Sequence, residues 1–491
     1  MVVYLVFKKY AFVDLLKSKY IKSDLNRFTL HLLFWFSCAV VMGIKIPVYD
    51  SYNYQVTLPE RFYPNGSFDF FHFNDRLRGF SLTLISLILR KISTFLNIDN
   101  SVTTITFMAI LFACITAILL PKLIKLIVPK SNEWLVSIAL ALFMLVFWRG
   151  YLQYLLSDIP SLFCYLIAIY LLLKPIKPYS AVIIGLFGGL AVNMRMAYLV
   201  GFICIACIFL YKTYQNKKGV GSKKRVLFST VLLSLFMVGF LSISLPQLLI
   251  NRNLLGSSSL FPVGISGGDE YVTPDGPIPL ATGKLQIFQL SVGLGLQKYE
   301  TRYEEGYEPK IFYMDKTGMD IVEKYLPLKD ETSYLKLWLK EPINMTKINS
   351  QHVLNGFDLR YSSAYISSNN EIGIGYRLIW YAVLSFVSFI VCHKIFLRKK
   401  SIFKTNSTIQ IALLVICSVV VAIPGAIETR FFIFPTLFIF GTSVAFINAY
   451  WREILKSRTT LYLGIAYIVV GGGLYLAYSQ WLETTRSVFK S

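Results

Sequence analysis

The feature that most constrains this chain is an alternation: apolar runs of roughly 15 to 23 residues, separated by short basic stretches. At 1.5 Å of rise per residue, such runs match a hydrocarbon core about 30 Å thick, in which every backbone N–H and C=O must be paired within the segment. Helices meet that demand. With 55% hydrophobic and only 15% charged residues, a soluble fold would have nowhere to bury the apolar side chains, so the 491 residues read as an all-α polytopic membrane protein. The formal charge of +22 lies in clusters between the apolar runs. That pattern suits orientation in a lipid bilayer and argues against a nucleic-acid partner.

Those clusters predict a topology. The first 27 residues carry Lys8, Lys9, Lys17, Lys19, Lys22 and Arg27 with no cleavable signal pattern, so the N-terminus is expected in the cytoplasm. Basic linkers recur at Lys122 to Lys130, Lys174 to Lys177, Lys212 to Arg225, Lys394 to Lys404 and Arg452 to Arg458. If all are cytoplasmic, an even number of crossings separates each from the next. Residues 178–212 must then cross twice, turning near Asn193, Met194 and Arg195. Phe80 to Leu96, interrupted by Arg90 and Lys91, is too short to span and reads as an amphipathic helix on the outer face. The expected crossings are 28–44, 102–120, 134–148, 159–173, 179–194, 196–211, 226–248, 374–393, 407–423, 431–450 and 461–480, about eleven transmembrane helices that leave the C-terminus outside.

Two large extracytoplasmic loops remain, 45–100 and 249–373, dividing the chain into an N-terminal membrane module (1–248), a loop domain (249–373) and C-terminal membrane helices (374–491). The loop domain opens with a Gly and Pro-rich stretch that reads as irregular, while Thr332 to His352 reads as helical. Its aromatic, mixed-charge composition and its length predict an ordered domain that binds substrate. All seven cysteines fall within apolar spans, which implies neither a disulfide framework nor a zinc cluster.

Apart from Arg377 at the mouth of one span, the crossings contain no Asp, Glu, Lys or Arg, whereas ion-coupled carriers normally hold such residues near mid-membrane. The charges gather at the outer edge instead: Asp50, Asp69, Asp75, Arg76 and Arg78, then Arg149 and Asp158, then Arg195, then Glu428 with Arg430.

An acid just after the first span (Val48-Tyr49-Asp50), a second leading into a later span (Ser157-Asp158-Ile159-Pro160), a Gly-rich span ending in arginine (Gly185 to Arg195), and Glu428-Thr429-Arg430-Phe431 opening a late span resemble the GT-C membrane glycosyltransferases. Among these, the size and the large outer loop are similar to bacterial O-antigen-modifying, serotype-converting glucosyltransferases. The resemblance implies a GT-C-like fold and transfer of a sugar from a polyprenyl-phosphate donor to a lipid-linked or surface polysaccharide acceptor. It also implies a bacterial inner membrane with the active site facing the periplasm. The first-loop acid, here Asp50, would be the base. Asp50 is not part of an Asp-Glu or Asp-Asp pair, as it is in some relatives, so no metal ligands are assigned and a divalent metal is left open.

The chemistry suits that set of residues. One carboxylate takes the proton from the attacking hydroxyl, and an anionic phosphate leaving group needs positive charge rather than a general acid. Arginine's planar fork matches phosphate oxygens and stays protonated, which makes Arg78, Arg195 and Arg430 the expected donor-phosphate ligands beside the catalytic candidates Asp50 and Asp158. Simpler readings stand beside these. Asp158 is well placed to cap the helix that follows, Arg195 and Arg430 to snorkel, and Asp50 to occupy a solvated turn with Asp69 or Asp75 as the base. Arg149 and His352 are secondary candidates for acceptor contact. Two other functions fit the same topology: a polymerase that joins whole O-antigen repeat units, and a flippase for lipid-linked sugars.

Overall fold

The computed structural model describes residues 19–73, 75, 77–215, 222–264, 270–273, 276–279, 284–302, 310–392, 406–456 and 458–488. Arg76, the basic linker 394–404 and the N-terminal lysines Lys8, Lys9 and Lys17 lie outside the described residues. The fold is mostly helical, and six helices are long and apolar enough to cross a bilayer: Ser23–Met42, Asn100–Ile127, Met196–Gln215, Val226–Leu255, Thr429–Tyr450 and Gly464–Thr484. Shorter apolar helices occupy Glu133–Phe147, Asp158–Leu173, Pro178–Met194, Ile374–Cys392 and Asn406–Cys417. The last ends earlier than the apolar pattern predicts. Beyond Cys417 the chain runs as turns to Gly425.

Close approach of two helices sets the N-terminal half. Gly185 on Pro178–Met194 and Gly239 on Ser222–Leu255 face each other's helix backbone, and a Cβ at either would sit 2.0 Å from the Phe236 or Val182 carbonyl oxygen. With no hydrophobic driving force between helices in lipid, such direct backbone contact supplies the dispersion energy that holds them. Polar side chains lock the ends of this pair. Asn193 Nδ2 donates to Gln247 Oε1 (2.8 Å), and Asn193 Oδ1 accepts the Ser81 amide (3.0 Å), so the Phe80–Leu96 helix starts against the end of Pro178–Met194.

The segment between Ser222–Leu255 and Ile374–Cys392 has its own buried apolar cluster, including Ile287, Leu294, Leu296, Phe312, Ile321, Leu337 and Ile348. It departs from an all-α fold. A four-stranded sheet runs in the order Tyr365–Ile366, Leu296–Arg302, Lys310–Met314, Arg486–Val488. The edge strand Arg486–Val488 follows the last long helix, so it pairs with a strand, Lys310–Met314, from far earlier in the chain. The predicted helix over Thr332 to His352 is two helices, Glu331–Lys340 and Pro342–Gly356. Pro342 forces Glu341 out of helical geometry (φ −127°, ψ 51°), which breaks the run.

Candidate functional site

Asp50 sits on a short turn, Tyr49–Tyr52, after an extended stretch that leaves the first long helix. Tyr49 has φ +46°, a left-handed conformation that costs a non-glycine residue about 1 kcal/mol or more. Contacts from far along the chain hold it there. Tyr49 donates its hydroxyl to the Arg302 carbonyl (3.1 Å), and the Ser51 amide donates to the Tyr365 hydroxyl (3.0 Å). The strands of the large segment thus fix the turn that presents Asp50.

Arg78 Nη2 donates to Asp50 Oδ1 at 2.5 Å. Its backbone is set by Asp75, whose Oδ1 accepts the amides of Leu77 (2.6 Å) and Arg78 (2.8 Å) while Oδ2 pairs with Arg61 (2.9 Å). Arg78 also lies over the Tyr54 ring, 5.3 Å from its centroid. Asp75 is therefore a buried support for the Arg78 backbone.

Arg430, in the 3-10 turn Thr429–Phe432, is shared by three carboxylates from three parts of the chain. Its Nη2 is 2.7 Å from Glu428 Oε1 and 3.7 Å from Asp50 Oδ2, and its Nη1 is 4.0 Å from Asp158 Oδ2. Asp158 opens the Asp158–Leu173 helix with its side chain 1% exposed. It does not cap that helix: neither oxygen accepts a hydrogen bond among the described residues, and the carboxylate is ion-paired with Arg195. Arg195 ends Pro178–Met194 in an extended conformation and lies over the Phe431 ring (4.7 Å to the centroid). These contacts bring Asp50, Arg78, Asp158, Arg195 and Arg430 into one cluster. Sequence reasoning did not pick out Tyr299, whose hydroxyl donates to Glu428 Oε1. It stands between Lys298 and Glu300 with no local signal to mark it.

The electrostatics follow from these contacts. Burial by itself would raise the Asp50 pKa, but Arg430 and Arg78 outweigh it and hold the carboxyl below the usual carboxylate range. Burial would lower the Arg78 pKa, yet Tyr54, Asp50 and Asp75 raise it. Asp50 and Arg78 are thus each held in the charged form by a partner of opposite sign.

The other candidates lie elsewhere or are occupied. Asp69 is on an exposed loop, where it accepts the amides of Phe71 and His72 and pairs with His72 Nδ1 (2.8 Å). Arg149 opens the 3-10 turn Arg149–Leu152 and has no ion pair among the described residues. His352 is buried, with Nδ1 2.6 Å from the Ile423 carbonyl and Nε2 3.0 Å from the Leu296 carbonyl. A neutral imidazole carries one N–H, so it donates to one of these two carbonyls, and the ring is buried between the segments that carry them. Among the described residues no group of three or more His, Cys, Asp or Glu is arranged to hold a metal ion. The three carboxylates here are interleaved with arginines.

A second ionic cluster centres on Asp358. Asp358, fully buried, accepts hydrogen bonds from Arg360 Nε (2.6 Å), the Tyr381 hydroxyl (2.5 Å) and Ser479 Oγ (2.8 Å). Lys298 Nζ, 0% exposed, lies 2.7 Å from Glu300 and 3.7 Å from Asp358. Burial would raise the Asp358 pKa, but Lys298 and Arg360 hold it at about 2. This network ties the sheet to Ile374–Cys392 and Arg458–Thr484.

No protein-family model matches the chain, and no curated protein matches it either.

Proposed function

We propose that the protein is an inverting membrane glycosyltransferase that moves a sugar from a polyprenyl-phosphate donor to a lipid-linked or surface polysaccharide on the periplasmic face of a bacterial inner membrane. The observation that carries this reading is the meeting of Asp50 with Arg78 and Arg430, two guanidiniums from distant parts of the chain, the second at the start of a long apolar helix. A lipid phosphate lying at the membrane edge needs such a place, where bidentate donors are gathered and one carboxylate is at hand.

In this mechanism the donor phosphate competes with the carboxylates for the guanidinium forks. Arg78 and Arg430 turn from Asp50 to the phosphate oxygens, and Arg195 adds charge from the far side. Asp50, released from its ion pairs, regains ordinary basicity and accepts the proton of the acceptor hydroxyl as that oxygen attacks the anomeric carbon. The bond to phosphate breaks with its electron pair, and the arginines stabilise the dianion that leaves. The Phe80–Leu96 helix, with Ile88, Ile92, Phe95 and Leu96 exposed along one side, suits a position in the lipid interface beside the site.

Mass spectrometry of surface polysaccharide with and without the gene tests the proposal. Loss of one sugar per repeat unit is the expected result. Loss of chain length with intact repeats indicates a polymerase instead, and lipid-linked sugar trapped in the cytoplasmic leaflet indicates a flippase.

A further inference from the structure

We infer that Tyr299 is a positioning residue which, through Glu428, aims the Arg430 guanidinium at the donor phosphate. The inference rests on the reading of the site given above and names a part of the machinery that lies in the large interhelical segment.

Arg430 belongs to a single 3-10 turn, and three carboxylates lie within 4.0 Å of its guanidinium. Left to those three, the fork would have several orientations of similar energy. Only the contact to Glu428 Oε1, at 2.7 Å, is a hydrogen bond, so Glu428 decides which way the fork points. Glu428 is only two residues away on the same loop and is itself aimed by the Tyr299 hydroxyl, which donates to the same Oε1.

The tyrosine is held on both sides. Its amide donates to the Ile427 carbonyl (3.0 Å), and Lys298 bridges Ile427 in parallel register, so Leu296–Arg302 pairs with the chain one residue before Glu428. Side chains alternate along a strand. On the other face, Lys298 and Glu300 enter the buried ionic cluster around Asp358 and Arg360, which anchors the strand to the last long helix. A cluster of buried charges is weak evidence for stability, since apolar residues of similar volume serve as well or better. Its geometric use is plain: it sets the height of the strand, and Tyr299 passes that setting to Glu428 and Arg430.

The test is a double-mutant cycle on the full-length protein in lipid nanodiscs, with undecaprenyl phosphate alone as the probe and its Kd read by tryptophan fluorescence. Arg430→Lys keeps the charge and loses the fork, and should weaken binding about tenfold or more. Tyr299→Phe removes one hydrogen bond to a charged group and should weaken binding about five- to tenfold in the wild-type background. In the Arg430→Lys background the same substitution should change Kd by less than about twofold, because its effect passes through the fork. A Tyr299→Phe protein that binds like wild type, or losses that multiply in the double variant, would overturn the inference while leaving the site reading in place. Unchanged binding in Arg430→Lys alone would overturn the site reading, and the inference with it. Glu428→Gln gives a second arm: it should show the same non-additivity with Tyr299→Phe, and independent effects would again count against the inference.

Discussion

Replacing Asp50 by Asn separates two roles of one carboxylate that pull in opposite directions. In the proposed mechanism Asp50 is the base, and an amide of the same size cannot take a proton, so transfer should fall by about 10²- to 10⁴-fold. As the resting partner of Arg78 and Arg430, Asp50 competes with the donor phosphate for the same nitrogens. Its side chain is 38% exposed, and pairs of that exposure are worth up to about 1 kcal/mol, so removing the competitor should tighten undecaprenyl phosphate binding by up to about fivefold. The assay pairs a binding titration in nanodiscs with single-turnover transfer from a polyprenyl-phosphate sugar. Tighter binding with lost transfer is the expected combination. Weaker binding would refute the competition, and wild-type transfer would refute the base. The pH dependence carries the same logic. In the resting protein the Asp50 carboxyl lies below its ordinary value, so it is ionised above about pH 4 and its ion pairs are lost as pH falls through the lowered pKa. The acid limb of kcat/KM should therefore sit below that of kcat, which reports the complex in which phosphate has taken the arginines.

Four further outcomes are expected. Asp158→Asn would be nearly neutral if the side chain capped its helix, because Asn caps as well as Asp, but with Arg195 as its buried partner it should cost about 3 kcal/mol or more in thermal unfolding. Asp358, held at about 2 against roughly 4 in an unfolded chain, supplies about 2.5 kcal/mol of stability that is present above pH 4 and lost as pH falls toward 2; an Asp358→Asn protein should be destabilised at pH 7 and lose less than wild type on acidification. Gly185→Ala places a Cβ 2.0 Å from the Phe236 carbonyl oxygen and should lower stability by about 1–3 kcal/mol, whereas Gly473→Ala, with no neighbour within 4 Å, should not. Cysteine labelling of intact cells should reach Ser67→Cys and Ser333→Cys but not Ser222→Cys; labelling at 222 would invert the topology.

The long helices were legible in the sequence because a bilayer makes helix formation a local matter: an apolar run without water to serve its backbone must pair that backbone within itself, so length and hydropathy suffice. The helix over Phe80–Leu96 and the turn at Arg195 followed from the same arithmetic, whereas the break at Glu341 comes from the proline that follows it, and the helix end at Cys417 falls short of the apolar pattern. Asp50, Asp158, Arg78, Arg195 and Arg430 stood out as charges in a chain that otherwise spends few of them near apolar runs. Their partners did not. Nothing local distinguishes Asp50, which meets two guanidiniums, from Asp75, which holds backbone amides, or from Asp69, which faces solvent. His352 read as available until two carbonyls from residues 296 and 423 were found on its ring. Tyr299 and the pairing of Arg486–Val488 with Lys310–Met314 belong to a sheet, whose hydrogen bonds join residues far apart in sequence. Composition and periodicity therefore determined which segments are helices and which residues are charged at their ends. The tertiary structure alone decided which charge meets which, because ion pairs and strand pairings are set by distances between segments and leave no period along the chain.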